Sequence, residues 1–430
     1  MKKLLLSLLI VPLTAVNAQW VEQNTAFTED SRGISHISIA DASTVWAQAY
    51  DGSGAGADIF EFTKTTDAGT TWTPGTISLG DPSLSLTDIS AVNGTTAWVG
   101  GFSEEDGQGG AYKTTDGGVT WTLMTPGKYV SATSWFNTVH FFDAQNGILM
   151  GDCPTAAAAA RFEVYYTSNG GTTWTAPPSF GTNAMPSANQ EYSYTDMKAA
   201  AGGSFWFGTS GGRIFRTTNM GVNWTVHTTP IEDFNASTMF FNDANNGVII
   251  SGGMLYKTTD GGVTWSTGEP YTGLPNVSSV PGTMALVSTS AALATSGSAY
   301  SPDMGSTWIP IDAGVQHTAV AFLNATTGWT GGFSGNGGGI SKFDGNLRAS
   351  TPDAVKVSVT PNPTNGTITI TGTAVSSVSV FDLTGKKVYQ NDFANVENAV
   401  VDLSGLQSGA YFLQAKAENG AVQTVKVLKQ

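Results

Sequence analysis

One eight-residue phrase recurs six times in this chain: a Thr or Ser, an Asp or Asn two places on, a Gly two further, and a closing Trp. The copies are Thr65, Asp67, Gly69, Trp72; Thr114, Asp116, Gly118, Trp121; Thr167, Asn169, Gly171, Trp174; Thr217, Asn219, Gly221, Trp224; Thr258, Asp260, Gly262, Trp265; and Ser301, Asp303, Gly305, Trp308. An acid or amide two residues before a Gly accepts hydrogen bonds from the turn's own amides. The Gly takes positive φ at little cost, and the Trp covers the corner while keeping one N–H for a partner. Each copy therefore reads as a braced hairpin turn, a structural unit and not a catalytic one.

A second pattern precedes each phrase: an apolar strand, a polar turn, then a strand ending in Gly. Blade two shows it as Ile89 to Val92, Asn93-Gly94, then Ala97-Trp98-Val99-Gly100-Gly101. Matching second strands occur at Val45-Trp46-Ala47, Gly147 to Gly151, Phe205 to Gly208, Gly247 to Ile250, Ala291 to Ala294, and Gly328 to Gly332, which makes seven. The seventh unit lacks the Trp phrase but keeps a strand and turn at Gly339 to Gly345. Intervals of about 40 to 55 residues fit the propeller period better than the shorter solenoid ones. The expected fold is all-β, a seven-bladed β-propeller over 19–346.

The octapeptide resembles the Asp-box, or BNR, repeat of sialidases, xyloglucan hydrolases, the sortilin ectodomain and photosystem II assembly and stability factors, all β-propellers. The run of apolar strand, Asn-Gly, Trp-x-Gly-Gly and Thr-Thr-Asp-Gly-Gly-x-Thr-Trp is most similar to the photosystem II assembly factors over about residues 30 to 346. That resemblance implies a non-catalytic binding platform. It also places the box turns on the outer part of the blades, away from the axis where ligands bind. Two of the six copies carry Asn for Asp, which a turn acceptor tolerates and a proton donor does not.

The tryptophans divide the same way. Six close the boxes, and Trp46, Trp98, Trp206 and Trp329 sit in second strands where repetition implies packing between sheets. Trp20 and Trp135 have no place in this scheme, with Tyr192, Tyr194 and Tyr271 as possible aromatic companions of Trp135.

The ends of the chain read as addresses. Residues 1–18 have the form of a secretory signal: Lys2 and Lys3, an apolar run from Leu4 to Leu13, and the small-residue site Val16-Asn17-Ala18. No later apolar stretch approaches the roughly 18 residues of a transmembrane helix. After a linker at 347–353, residues 354–430 lose Trp and become rich in Val and Thr, as expected of a separate small β-sandwich. Its landmarks are Pro361-Asn362-Pro363, Val380 to Val388, Val401 to Leu406, Gly409-Ala410-Tyr411-Phe412 and Lys426 to Lys429. Together they resemble the type A C-terminal sorting domain of the type IX secretion system. The resemblance implies a Bacteroidetes-type bacterium, the secretion machinery as partner, and release or attachment at the outer-membrane surface.

The net charge of −14 lies in the repeat region, because the tail from Thr351 balances six lysines against six acids. Nucleic acid is therefore not an expected partner, since phosphate binding needs clustered Lys and Arg. Cys153 is the only cysteine, so no intrachain disulfide forms; a small buried residue is the expected role. Four scattered histidines and no His-Glu-x-x-His or calcium-loop motif leave no metal signature and imply no cofactor.

Two sets of candidates remain. Asp88 and Asp196 are read as equivalent acids on innermost strands, where Thr138, Thr238 and Ala319 stand in other blades; facing one cleft they would suit glycoside hydrolysis. The alternative is that each only bonds to neighbouring strands or solvent. The odd loop from Asp152 to Arg161 and the approach from Asn183 to Glu191 form the second set, where Trp135, His140, Arg161, Glu191 and Tyr192 are candidates for a ligand surface. Sialidase chemistry is disfavoured: the chain has five arginines, and Arg213-Ile214-Phe215 lacks the proline of the family's Arg-Ile-Pro element. The leading expectation is an exported propeller binding a glycan or protein, with a secreted glycoside hydrolase as the alternative.

Overall fold

The computed structural model describes residues 19–56, 58–131, 133–153, 161–178, 191–335, 338–347, 357–416 and 422–430. The chain divides into two compact units, Met1–Arg348 and Ala349–Gln430.

Among the described residues, the first unit contains seven antiparallel sheets, each of consecutive strands except the last. Blade one runs Arg32–Ile39, Val45–Asp51, Glu61–Thr65, Thr73–Thr76, and blade two Leu84–Ala91, Ala97–Ser103, Gly109–Thr114, Thr122–Leu123. Blade three has Phe136–Phe141, Gly147–Gly151 and Glu163–Thr167, with its fourth strand reduced to a bridge between Tyr166 and Thr175. Blade four, from Ser193–Ala201 to Thr225–Thr228, and blades five and six complete the four-stranded pattern, except that the second strand of blade six is Leu286–Ser290 and the expected Ala291 to Ala294 lies in the exposed turn after it. The innermost strand of each blade lies against that of the next, and blade seven's against blade one's, so the ring closes.

Closure explains Trp20. Blade seven takes its outer strand from the other end of the unit: Trp20–Asn24 pairs antiparallel with Gly339–Phe343. Trp20 is buried against Phe322 and Phe343, and its indole N–H donates to Ser298 Oγ of blade six at 2.9 Å. A latch of this kind ties the two newly joined edges by packing and by a hydrogen bond at once.

The octapeptides form the expected turns. In blade two the Thr114 hydroxyl donates to Asp116 Oδ1 at 2.8 Å and accepts from Gly118 N at 2.8 Å, while Thr120 N and Oγ1 donate to the two carboxylate oxygens at 3.0 and 2.6 Å. Gly118 lies at φ 92°, where a side chain is strained. These donors hold Asp67, Asp116 and Asp260 down at about 2. In the Asn copy at Asn169 the amide Nδ2 donates to Thr173 Oγ1, reversing one bond and keeping the turn.

The closing indoles depart from expectation in one respect. Trp72, Trp224 and Trp265 donate to Gln23 Oε1, Gly221 O and Gly262 O, whereas Trp121, Trp174 and Trp308 Nε1 are buried without a partner among the described residues. For those three, ring packing is what the residue supplies: Trp121 meets Phe62 edge-on and Trp174 meets Trp98 at 87°.

Trp46, Trp98, Trp206 and Trp329 are fully buried between blades. Each carries a cation over its ring, Lys64, Lys113, Arg216 and Lys342. Three of these cations also reach the next blade's turns: Lys64 Nζ donates to Gly117 O at 2.8 Å, Lys113 Nζ to Gly170 O at 2.8 Å, and Arg216 to Ala244 O at 2.8 Å. The staple combines a cation–π contact with a charge-assisted hydrogen bond.

The second unit builds its sandwich-like core within one five-stranded ladder rather than two separate sheets. The long strands Thr367–Phe381 and Lys387–Asp402 pair along their length with register shifts between Thr371 and Ser377. Ile368, Ile370, Val378, Val380, Val401 and Leu413 share its core.

Candidate functional site

Every strand-one to strand-two turn and every box turn lies on one face of the ring, since strands two and three of a blade run away from it and back. The opposite face carries the strand-two to strand-three loops and the connections between blades, and all the second-set candidates except His140 belong to it.

At the hub, Asp88 sits in the innermost strand of blade two, where the register shifts between Leu86 and Ile89. Lys198 Nζ of blade four contacts Asp88 Oδ2 at 2.5 Å and donates to Thr138 Oγ1 of blade three at 2.7 Å, and that hydroxyl donates to Asp88 Oδ1 at 3.2 Å. Three successive blades are thus tied by one acid, one hydroxyl and one ammonium, all largely buried.

Asp196 is not the counterpart of Asp88. Lys198 faces Phe207 beside Trp206 as Ile89 faces Val99 beside Trp98, so the register makes Met197 the equivalent residue. The cause is the first hairpin of blade four, where Ala201 pairs with Ser204 across Gly202-Gly203, a turn one residue tighter than the one that pairs Ile89 with Val99 in blade two. The Asp196 side chain lies outside the described residues.

His140 is flanked by Phe142 and Phe205 at ring distances of 4.8 and 5.5 Å. Burial, with the Lys198 ammonium nearby, lowers its pKa to about 4, so the imidazole is neutral at physiological pH. It belongs with the hub network, apart from the loop-face candidates.

The loop-face candidates form separate groups. Trp135 packs on Phe102 at 5.9 Å, and its ring lies 2.6 Å from where a Cβ on Gly107 would stand, so only Gly fits there. Glu191 turns inward, buried, where Arg213 pairs with it and the Thr209 hydroxyl donates to it. Tyr192, its neighbour, turns outward and is 48% exposed. Arg161 is exposed. The stretches 154–160 and 183–190 of the two odd loops lie outside the described residues.

Sequence reasoning missed the most perturbed acid. Asp152 Oδ1 accepts from Ser193 N, Ser193 Oγ and Asn137 Nδ2 at 2.8, 2.9 and 3.0 Å, joining blades three and four. Burial without a cation nonetheless raises its pKa to about 7. Cys153 beside it is buried, its thiol pushed up to about 12 by burial and the nearby acids. Among the described residues no cluster of His, Cys, Asp and Glu is placed to hold a metal.

Comparison with known proteins assigns the tail first. Residues 358–430 match the Secretion system C-terminal sorting domain. The tail is a sorting domain. It marks the chain for type IX secretion, and with it for export to the cell surface or beyond. No helix among the described residues is long and apolar enough to cross a membrane.

No curated protein matches the chain in sequence. The structure is similar to YCF48 bound to D1 peptide, with a TM-score of 0.51 and 15% identity over 76% of this chain and 97% of that one. It is also similar to the extracellular domain of a one component system from B. thetaiotaomicron, at TM-score 0.48 and 9% identity over 96% and 58% of the two chains. An ancestral GH74 enzyme aligns at TM-score 0.45 and 13% identity over 94% and 63%. The likeness to YCF48 is one of fold, and that fold is the β-propeller.

Proposed function

We propose that this protein is an exported binding scaffold that presents the loop face of its ring to a glycan or protein. In this reading residues 1–18 are a signal peptide removed on export, 19–346 the propeller with octapeptides of the Asp-box type, 347–353 a linker and 354–430 the sorting domain. The source is a Bacteroidetes-type bacterium, and the product is released or held at the outer-membrane surface.

One observation carries the reading. The hub carboxylate best placed for hydrolysis, Asp88, is occupied by Lys198 at 2.5 Å and by Thr138, and an acid engaged in this way is a brace between blades rather than a free base. The fold hosts binders and enzymes alike, so the site and not the scaffold must decide. YCF48 bound to a peptide adds an analogy for a ring that holds a polypeptide.

Glycoside hydrolysis is the second reading, through Asp88 and Asp196 or through Asp152. The observation in its favour is that Asp152 keeps its proton up to about pH 7, as a general acid requires. A glycan and protein array run beside a polysaccharide-hydrolysis assay separates the two. Saturable binding without turnover supports the scaffold; turnover abolished by Asp88→Asn, Asp196→Asn or Asp152→Asn overturns it.

A further inference from the structure

On the loop face of blade four, Tyr192 and Tyr194 stand edge to face at 70° with ring centroids 5.3 Å apart, a corner in which Tyr194 is half-buried against the core and Tyr192 is the exposed wall. The corner is rigid. Tyr192 N donates to Ser210 Oγ at 3.1 Å and Ser210 N donates back to Tyr192 O at 2.9 Å. Tyr194 Oη donates to Asp233 Oδ1 at 2.6 Å, and Asn235 N donates to the same oxygen at 2.9 Å, which fixes the carboxylate beside the rings. Asp233 and Glu232 are both exposed here.

Several aromatic rings elsewhere in this protein, mostly the buried tryptophans between blades but also Tyr165, carry a cation. Lys64 sits 4.7 Å above Trp46, Lys113 5.1 Å above Trp98 and Lys128 3.9 Å above Tyr165. The Tyr192–Tyr194 corner has the rings and the carboxylate, but no such cation among the described residues. Arg213, the closest basic residue along the following strands, is committed to Glu191. The exposed ring of Tyr192 and the exposed carboxylate of Asp233 beside it attract a positive charge; a neutral sugar gains nothing from the charge, and an anionic one is repelled.

We propose that this corner receives the ammonium or guanidinium end of a Lys or Arg side chain carried by a protein partner. The proposal rests on the scaffold reading above and narrows it, naming the protein arm and the chemistry of recognition. The acidic repeat region adds long-range steering of a basic partner, so binding weakens as salt rises.

The test uses the full mature chain and a labelled ten-residue peptide bearing several lysines, with its fully acetylated form and a neutral gluco-oligosaccharide as comparison ligands. Tyr192→Ala and Asp233→Asn should each weaken peptide binding by about two- to fivefold, as expected for loss of a cation–π wall or a charge at an exposed site. Tyr192→Phe should keep most of it, and acetylation should abolish it. Both altered side chains are exposed and Asn still accepts from Tyr194, so folding is preserved. Equal binding of the acetylated peptide, wild-type affinity in both variants, or no binding by the wild-type chain at about 1 mM peptide overturns the proposal. Glycan binding that survives Tyr192→Ala would sink this inference and leave the scaffold standing, whereas turnover of a glycan would sink the scaffold itself.

Discussion

Replacing Asp152 by Asn should stabilise the protein at neutral and alkaline pH and leave it unchanged in acid. All three donors to this side chain converge on Oδ1, from Ser193 N, Ser193 Oγ and Asn137 Nδ2, and no partner of Oδ2 is seen among the described residues. An asparagine that keeps its oxygen in the Oδ1 place retains every one of those bonds, and only the charge is lost. The carboxyl has its pKa raised by burial from 3.8 to about 7. The folded state therefore holds a proton that the unfolded chain has released between those two values. Stability falls as pH rises through that window, since the unfolded state binds fewer protons there. A shift of about three units corresponds to at most ~4 kcal/mol, at 1.36 kcal/mol per unit. The assay is a series of thermal or denaturant unfolding curves from pH 4 to 8 for both proteins. The variant should match the wild type near pH 4 and exceed it progressively toward pH 8. Parallel curves, or a variant less stable than wild type at pH 8, would refute the reasoning that burial outweighs the three donors.

The hub brace predicts non-additivity. Lys198→Met alone leaves Asp88 buried and uncompensated, which should cost about 3–5 kcal/mol, and adding Asp88→Asn should recover most of it, as a double-mutant cycle by denaturant unfolding will show. Trp20→Ala should cost about 3–5 kcal/mol, because it empties a buried pocket, and limited proteolysis should then cut the N-terminal strand first. Asp116→Asn should be close to neutral at pH 7, as the Asn169 turn shows it can be, whereas Asp116→Ala should lower the unfolding midpoint. With a folded pKa near 2 against 3.8, the aspartate's contribution is present above pH 4 and lost as pH falls toward 2, and the Asn form should lack that acid-side decline.

Much of the fold was legible because its signals are local. A Thr, an Asp and a Gly within four residues make their bonds within the same turn, so their spacing alone specifies the hairpin. The innermost positions Asp88, Thr138, Thr238 and Ala319 could likewise be placed by repetition. Asp196 could not, because the turn at Gly202-Gly203 is one residue tighter than its counterparts and slips the count back from Trp206 by one. The stapling cation was visible and unread: Lys64, Lys113 and Arg216 each precede the box Thr directly. The latch left only a negative trace, a seventh blade without its Trp phrase and an unexplained Trp20 near the other terminus. Asp88 with Lys198, and Asp152 with Ser193, are pairings between blades, and nothing short of the ring's curvature brings them together.

Pairing Trp20–Asn24 with Gly339–Phe343 also makes the ring indivisible. A ribosome delivers the first of these segments long before the second, so through most of synthesis the nascent wheel has a gap and two bare sheet margins. Such margins recruit foreign strands when they are left open. Any premature stop before the seventh blade should therefore yield a sticky, incomplete product rather than a smaller working one, and a cell making this protein gains from keeping the chain unfolded until its last spoke has arrived.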